Sequence, residues 1–405
     1  MAEHDLAFVE GGITASFGFM ASGVSAGIKK SGRKDIALIV AEKRCPAAAV
    51  FTTSSMAAPP VVVSRESISD GLLRAIIVNA GNANACTGES GMADARAMAE
   101  ATATALGCDA ADVLVASTGV IGVPMPMELV FAGIDEAAEA LDLVAGEDAA
   151  EAILTTDTFV KTTGVAFELD GITYTVGGMA KGSGMIQPNM ATMLAFVTTD
   201  APLTSASCDA ALRAAVARTF NRITVDSDTS TNDMCVLMAS GSAGGDLIDP
   251  NDQGFAVVSS AIEHVCGELA RMVVRDGEGA TKLIAITVTG AESESDAEAV
   301  AFAIANSPLV KTAIFGADAN WGRVAMAIGK SPARVDATRV RITFAGILPC
   351  EGGTAVPFSE EDAAVALAES DVEIAVDLVL GSGEATVWTC DLSYEYVRIN
   401  GEYRS

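Results

Sequence analysis

Histidine is nearly absent: among 405 residues there are only His4, near the N-terminus, and His264, inside a helical pattern. A Ser-His-Asp or Cys-His device is therefore hard to build, and a general base working near neutral pH must come from another group. Aromatic residues supply 5% of a chain that is 50% hydrophobic, so packing must rest on Ala, Val, Leu, Ile and Met. No uncharged apolar run approaches the ~18 residues of a membrane span, and MAEHDLAF has neither the basic nor the apolar region of a secretory leader. Basic residues are scarce too. The 25 Lys and Arg against 53 Asp and Glu leave a formal charge of -28 and a pI near 4.3, which would repel nucleic acid and anionic membrane over the whole surface. The eight cysteines (Cys45, Cys86, Cys108, Cys208, Cys235, Cys266, Cys350, Cys390) form no CxxC pair or other metal spacing. They read as reduced, largely buried thiols of a cytoplasmic protein that holds no metal.

What is present is enough chain for a large core in two domains or lobes, with 38 glycines for turns and close backbone approach. The runs DIALIVAE (35 to 42), AAAVFTT (47 to 53), PPVVVSRE (59 to 66) and RAIIVNAG (74 to 81) read as strands of a sheet core. A helix is expected over 89 to 106, a strand over 112 to 117, and helical spacing over 126 to 153. Asp170-Gly171 is a type I′ turn pair, predicting a hairpin across 155 to 182. Further on, 205 to 220 is helical, and Phe255, Val258, Ile262, Val265, Leu269 and Met272 mark the apolar stripe of a long amphipathic helix. His264 lies beside that stripe and reads as structural rather than as a ligand. The C-terminal third offers a helix capped by Ser359 and a strand pair, DVEIAVDLVL with EATVWTCDLSYEYVRI, around Gly381-Ser382-Gly383.

Chemistry concentrates in KGSGMIQPNMATMLAFVTTD, from Lys181 to Asp200, where a Gly-rich, Pro-interrupted turn meets an apolar β-prone run. At that boundary Ala191 precedes Thr192. The plain interpretation is a loop entering a buried strand. The sharper one is self-cleavage: the Thr192 hydroxyl attacks the preceding carbonyl, passes through an ester, and leaves an N-terminal Thr with its α-amine beside its own nucleophilic oxygen. Such an amine has an unperturbed pKa of about 7.7–8.0, which suits the base that the missing histidine would otherwise provide. Elsewhere, Thr118 followed by Gly119 at a strand end can aim an O–H and an unobstructed N–H at one point, as an oxyanion hole requires, although a plain turn reads the same way. Gly277 and Gly279 flank Glu278 so that one carboxylate projects.

Taken with ASTGVIG (116 to 122), TFNRITVDSDTSTND (219 to 233), RDGEGATK (275 to 282) and DLSYEYVRIN (391 to 400), the segment GSGMIQPNMATMLAFVTTDA resembles the ornithine acetyltransferase, or glutamate N-acetyltransferase, family. The matches run in order across nearly the whole chain. The resemblance implies an α/β fold of two β-sheets sandwiched between helix layers, made as a precursor that cuts itself between Ala191 and Thr192. Residues 1–191 would be an α chain carrying the oxyanion hole, and 192–405 a β chain beginning with the Thr nucleophile. It further implies Thr192 as acyl acceptor, Thr118 and Gly119 as oxyanion donors, and Thr155, Lys181, Thr192, Glu278, Asn400 and Ser405 as substrate-binding positions. The expected substrates are N-acetylornithine and glutamate, in arginine biosynthesis, with no cofactor and with paired α and β chains as a heterotetramer of two of each. Whether acetyl-CoA serves as a second donor is left open. Ser227 stands where the family pattern has Gly, Gln187 is at a variable position, and the tail NGEYRS departs from the pattern around Asn400. Two alternatives stay open: a self-cleaving aminopeptidase of the same fold, for which Ser rather than Thr would be the nucleophile, and a binding protein that would not need Thr192.

Overall fold

The structure, a computed structural model, describes residues 6–187 and 193–402. Strands β1 (Ala7–Phe8), β2 (Phe19–Val24) and β3 (Ile36–Phe51) open the chain. Helix α1 (Pro59–Ser67), β4 (Leu72–Asn82), α2 (Gly88–Leu106), β5 (Val113–Val120), α3 (Met127–Glu139) and α4 (Gly146–Ala152) follow. The hairpin β6 (Lys161–Leu169) and β7 (Ile172–Lys181) leads to β8 (Leu194–Thr199), α5 (Ser205–Arg218), β9 (Ile223–Thr224), β10 (Met234–Ala239) and α6 (Phe255–Arg275).

Strand β3 is long enough to serve two layers. Its first half pairs with β2 and β4 and its second half with β10, with the register to β4 broken between Val40 and Cys45. The pleat sends Ala37 and Ile39 to one side and Ile36, Leu38 and Val40 to the other, each into its own core. Ile39, Ile76 and Leu114 from the layer β2–β3–β4–β5 pack against Met179, Phe196 and Val236 from the layer β6–β7–β8–β10. Helices α2 and α3 cover the outer face of the first layer through Met98, Val130 and Ile134. Helices α5 and α6 cover that of the second through Leu212, Ile262 and Leu269. This is the expected pair of sheets between helix layers, and each such Leu or Ile contributes about 1.5–3 kcal/mol by leaving water.

Those two layers are joined through β3 into one nine-stranded sheet, and a separate seven-stranded sheet with its own core is built by the rest of the chain together with β9. That part of the chain contains β11 (Leu283–Ala291), α7 (Glu294–Ala305), α8 (Pro308–Phe315), α9 (Trp321–Gly329), β12 (Arg341–Phe344), β13 (Ile347–Glu351), β14 (Thr354–Ala355), α10 (Glu360–Ala366), β15 (Asp371–Asp377) and β16 (Gly383–Cys390), closed by α11 (Tyr394–Glu402). The strands lie in the order β14-β13-β12-β15-β11-β16-β9. Among the described residues no single helix is long and apolar enough to cross a membrane. Six of the eight cysteines are buried and all are free thiols.

The structure corrects four local readings. DIALIVAE and AAAVFTT are one strand, β3. PPVVVSRE is helix α1, because Pro59 and Pro60 occupy its first two positions, where a missing N–H costs nothing and the fixed φ is already helical. Its buried Val61 and Ser64 are then one turn apart, and Ser64 Oγ both accepts from the Val115 N–H (2.9 Å) and donates to the Val115 carbonyl (2.6 Å). Strands β15 and β16 are not partners: β11 lies between them, parallel to one and antiparallel to the other. The second of these runs also stops at Cys390, and Tyr394–Glu402 is helix α11, started by Ser393, whose Oγ accepts from the Glu395 N–H at 3.1 Å.

Candidate active site

Two strands from different layers end at the same opening between the sheets. Thr118, near the end of β5, continues the alternation of Leu114 and Ala116, and Lys181, the last residue of β7, continues that of Met179. Both side chains therefore belong to the face between the layers. Lys181 Nζ lies 3.4 Å from Thr118 Oγ1 and donates to it. Gly119 follows with φ +131°, and a Cβ there would collide with the backbone of Gly81 and Asn82 on β4, so only glycine lets β5 turn at this point.

One pocket takes in Thr118, Gly119, Thr155, Lys181, Glu278 and Asn400, with Met193 on its wall. Ala191, Thr192 and Ser405, as well as His4, lie outside the described residues. Met193 is covalently next to Thr192, and its carbonyl accepts from the Met234 N–H at 3.0 Å. Leu194 is paired with Lys181 across β7 and β8, so the chain leaves the sheet at Lys181 and re-enters it opposite the same residue.

A buried ion network holds the floor. Lys161, fully buried, bonds to Asp157 Oδ1 at 2.7 Å and Asp276 Oδ2 at 2.5 Å. Asp157 also accepts from the N–H groups of Gly182 (2.7 Å) and Thr155 (2.9 Å), and lies 4.0 Å from Lys181 Nζ. Burial works to raise the Asp157 pKa, but Lys181, Lys161 and these hydrogen bonds outweigh it and hold the carboxyl well below its ordinary range. The same carboxylate thus fixes both Thr155 and the exit from β7.

Glu278, in the turn after α6, is 8% exposed, and its Oε2 accepts from Asn400 Nδ2 at 2.7 Å. The Glu278 N–H donates to the Ser183 carbonyl at 3.0 Å, and a Cβ on Gly184 would stand 2.5 Å from the Glu278 carboxyl carbon. Asp226 accepts from the N–H groups of Met185 (2.6 Å) and Ile186 (2.8 Å), and from the Tyr396 hydroxyl at 3.4 Å. Helix α11 therefore brings Asn400 to the pocket while steadying the loop that precedes the junction. Gln187, at the family's variable position, accepts from Asn306 Nδ2 at 2.8 Å, and Ser227 adopts φ +67°, a conformation that suits the Gly expected there. His264 is exposed on α6.

The site also contains residues that the sequence reading did not single out: Asp157, Lys161, Asp276, Asp226 and Asp233. Asp233 carried a signal, an acid placed where the polar loop enters β10. Lys161 and Asp276 carried none, being far apart in the chain.

Fold and pocket together define an α/β acyltransferase of the kind the motifs resemble. The ArgJ family profile matches residues 20–405. The arginine biosynthesis bifunctional protein ArgJ of Symbiobacterium thermophilum is 51% identical over 400 residues, covering 98% of this chain and 100% of that protein. Its counterpart from Caldanaerobacter subterraneus subsp. tengcongensis is 49% identical over 401 residues, covering 98% and 99%. A crystal structure of the bifunctional protein from Bacillus halodurans matches at 48% identity with a TM-score of 0.50, covering 51% of this chain and 98% of that one. The chain belongs to the ArgJ family.

Proposed function

We propose that this protein transfers the acetyl group of N2-acetyl-L-ornithine to L-glutamate, giving ornithine and N-acetylglutamate for arginine biosynthesis. The observation that carries the reading is the convergence of Thr118, Gly119, Thr155, Lys181, Glu278 and Asn400 on one pocket beside Met193. The names of its full-length relatives support the same pathway.

The chain cuts itself between Ala191 and Thr192, and the freed α-amine of Thr192 then takes the proton of its own hydroxyl as that oxygen attacks the acetyl carbonyl. Thr118 Oγ1–H and Gly119 N–H receive the developing oxyanion. With Lys181 Nζ already donating to Thr118 Oγ1, the Thr118 proton is free to point at the pocket. Lys181 also offers charge to a substrate carboxylate, Glu278 to an α-ammonium, and Thr155, Asn400 and Ser405 complete the binding set. Ornithine leaves with the proton returned by the amine, and glutamate attacks the acetyl-Thr192 ester in a second, equivalent step. Acetyl-CoA would enter at the first step by the same chemistry. The reaction needs no cofactor, because the base and the nucleophile belong to one residue.

Cleavage places Lys181 and Leu194, which are neighbours in one sheet, on different pieces, so an α chain (1–191) and a β chain (192–405) remain together. We place two of each in a heterotetramer, in the cytoplasm.

A denaturing gel with N-terminal sequencing tests the cut: two bands are expected, the second beginning TMLAF, and Thr192→Ala should remain full length. Rapid quench with N-acetylornithine should add about 42 Da to the β chain, as the acetyl ester requires. Full activity from an uncut protein would overturn the reading.

A further inference from the structure

The backbone on either side of the Thr118–Gly119 pair is tied to one residue, Ala83, just past the end of β4. On one side the Ala83 N–H donates to the Val120 carbonyl at 3.0 Å. On the other, the Ser117 and Ala83 carbonyls are joined through Asn232, whose Nδ2 donates to both, at 3.0 and 2.6 Å. Asn232 is 6% exposed and stands two residues before β10. Its amide has a single orientation that satisfies these neighbours. Oδ1 accepts from the Thr231 hydroxyl at 2.6 Å, while two carbonyl oxygens take nothing but the NH2 side, so both Nδ2 hydrogens are spent on β4 and β5. The loop carrying Asn232 is itself pinned, with the Thr231 carbonyl accepting from the Ala58 N–H at 2.9 Å and the Asp233 carbonyl from the Thr52 N–H at 3.0 Å. Asparagines also brace the exit of β4 elsewhere. Asn79 Nδ2 donates to the Asn82 carbonyl at 2.8 Å, and Asn82 Nδ2 to the carbonyls of Val123 and Pro124, both at 3.1 Å.

We propose that Asn232 is the positioning residue of the oxyanion hole: its amide clamps the ends of β4 and β5 together and so sets where Thr118 Oγ1–H and Gly119 N–H point. The strands already touch there, since a Cβ on Gly119 would stand 2.3 Å from the Gly81 carbonyl carbon. A shift of either strand end therefore moves the donors, and a displacement of ~1 Å at a reacting centre costs about 10²-fold in rate. Asn232 also lines the pocket, but with its hydrogens spent on two backbone carbonyls it has none to offer a substrate. Its side chain comes from the C-terminal side of the proposed cut and the residues it clamps from the N-terminal side, so one piece shapes the oxyanion hole of the other.

The inference rests on the proposed oxyanion role of Thr118 and Gly119, and a double-mutant cycle separates the two. Asn232→Asp keeps the size of the side chain but turns a carboxylate oxygen toward the two carbonyls. Asn232→Ser, which adds no charge, keeps the comparison available if the aspartate variant does not fold. Each is made in wild type and in Thr118→Ala, and kcat and KM are measured with N-acetylornithine and glutamate on folded, matured protein. In wild type, Asn232→Asp should lower kcat on the order of 10²-fold with KM little changed, because only the transition state uses the hole. In Thr118→Ala, where one of the two donors is already gone, the same change should cost less than about tenfold, since residues that act through one another are not additive. Asn232→Ser, with one hydroxyl for two carbonyls, should show the same pattern at smaller size. A Thr118→Ala enzyme of normal kcat would overturn the oxyanion reading, and this inference with it. With Thr118→Ala slow, three results overturn the positioning role alone: an unchanged kcat in the folded Asn232 variants, a raised KM at normal kcat, or equal losses in both backgrounds.

Discussion

Lys181 Nζ and Thr118 Oγ1, carried by strands of different layers, stand 3.4 Å apart at the mouth of the sandwich. The contact orients the hydroxyl, and on the proposed oxyanion role Thr118→Ala should remove one donor. Such a loss typically costs on the order of 10²–10³ in kcat, about 2.7–4 kcal/mol, with KM little changed. If, as proposed, the same donor serves self-cleavage, the variant should also mature slowly and must be assayed as its isolated cleaved fraction. A normal kcat with a raised KM would make Thr118 a substrate contact instead.

Gly184 leaves room for the Glu278 carboxyl, which a Cβ would approach to 2.5 Å. Gly184→Ala should displace that carboxylate from Asn400 and raise KM for the amino acid about tenfold or more, the equivalent of one lost charged hydrogen bond. Steady-state kinetics with varied glutamate would show it. An unchanged KM would mean that Glu278 does not bind the substrate ammonium.

Lys161 neutralises two buried carboxylates at 2.7 and 2.5 Å. Lys161→Met should destabilise the protein by about 3–5 kcal/mol, as expected when a buried charge pair loses one partner. Urea unfolding followed by circular dichroism would measure it, with a change under 1 kcal/mol counting against the network's role.

Asp157 gives that network a pH signature. Its folded pKa is depressed, so the stability it contributes is complete above the unfolded value of about 3.9 and is lost as pH falls toward the folded one. Unfolding midpoints should therefore drop between about pH 4 and pH 2, and an Asp157→Asn variant should show a shallower decline over that window.

Much of this was legible in the chain because the signals are local. Asp170 and Gly171 both adopt positive φ in the β6–β7 turn, as a type I′ pair must, and the stripe of α6 is buried at Val258, Ile262, Val265 and Leu269. The family motifs led to residues that the fold brings to one pocket. What was not legible depends on contacts distant in sequence. PPVVVSRE has strand-like valines, but Pro59-Pro60 and the fit of Ser64 against β5 make it a helix. Tyr, Val and Ile in SYEYVRI favour strands, yet the Ser393 cap and the Tyr396–Asp226 and Asn400–Glu278 contacts select α11. Asp157 and Lys161 look like ordinary surface charges until Asp276 is placed against them.

The pairing of β7 with β8, Ala180 opposite Ala195, spans the two pieces that self-cleavage would create. Before the cut, forming that pairing is a unimolecular event in which the tether keeps its ends at an effective concentration of roughly millimolar. Afterwards the same pairing is an association between separate molecules. Stability then depends on how much protein is in the tube, and melting temperature should rise more steeply with concentration for the mature enzyme than for uncut Thr192→Ala. Such a cut would therefore work as a ratchet: the precursor could unfold and try again, whereas a cleaved enzyme that came apart would have to find its other half by diffusion.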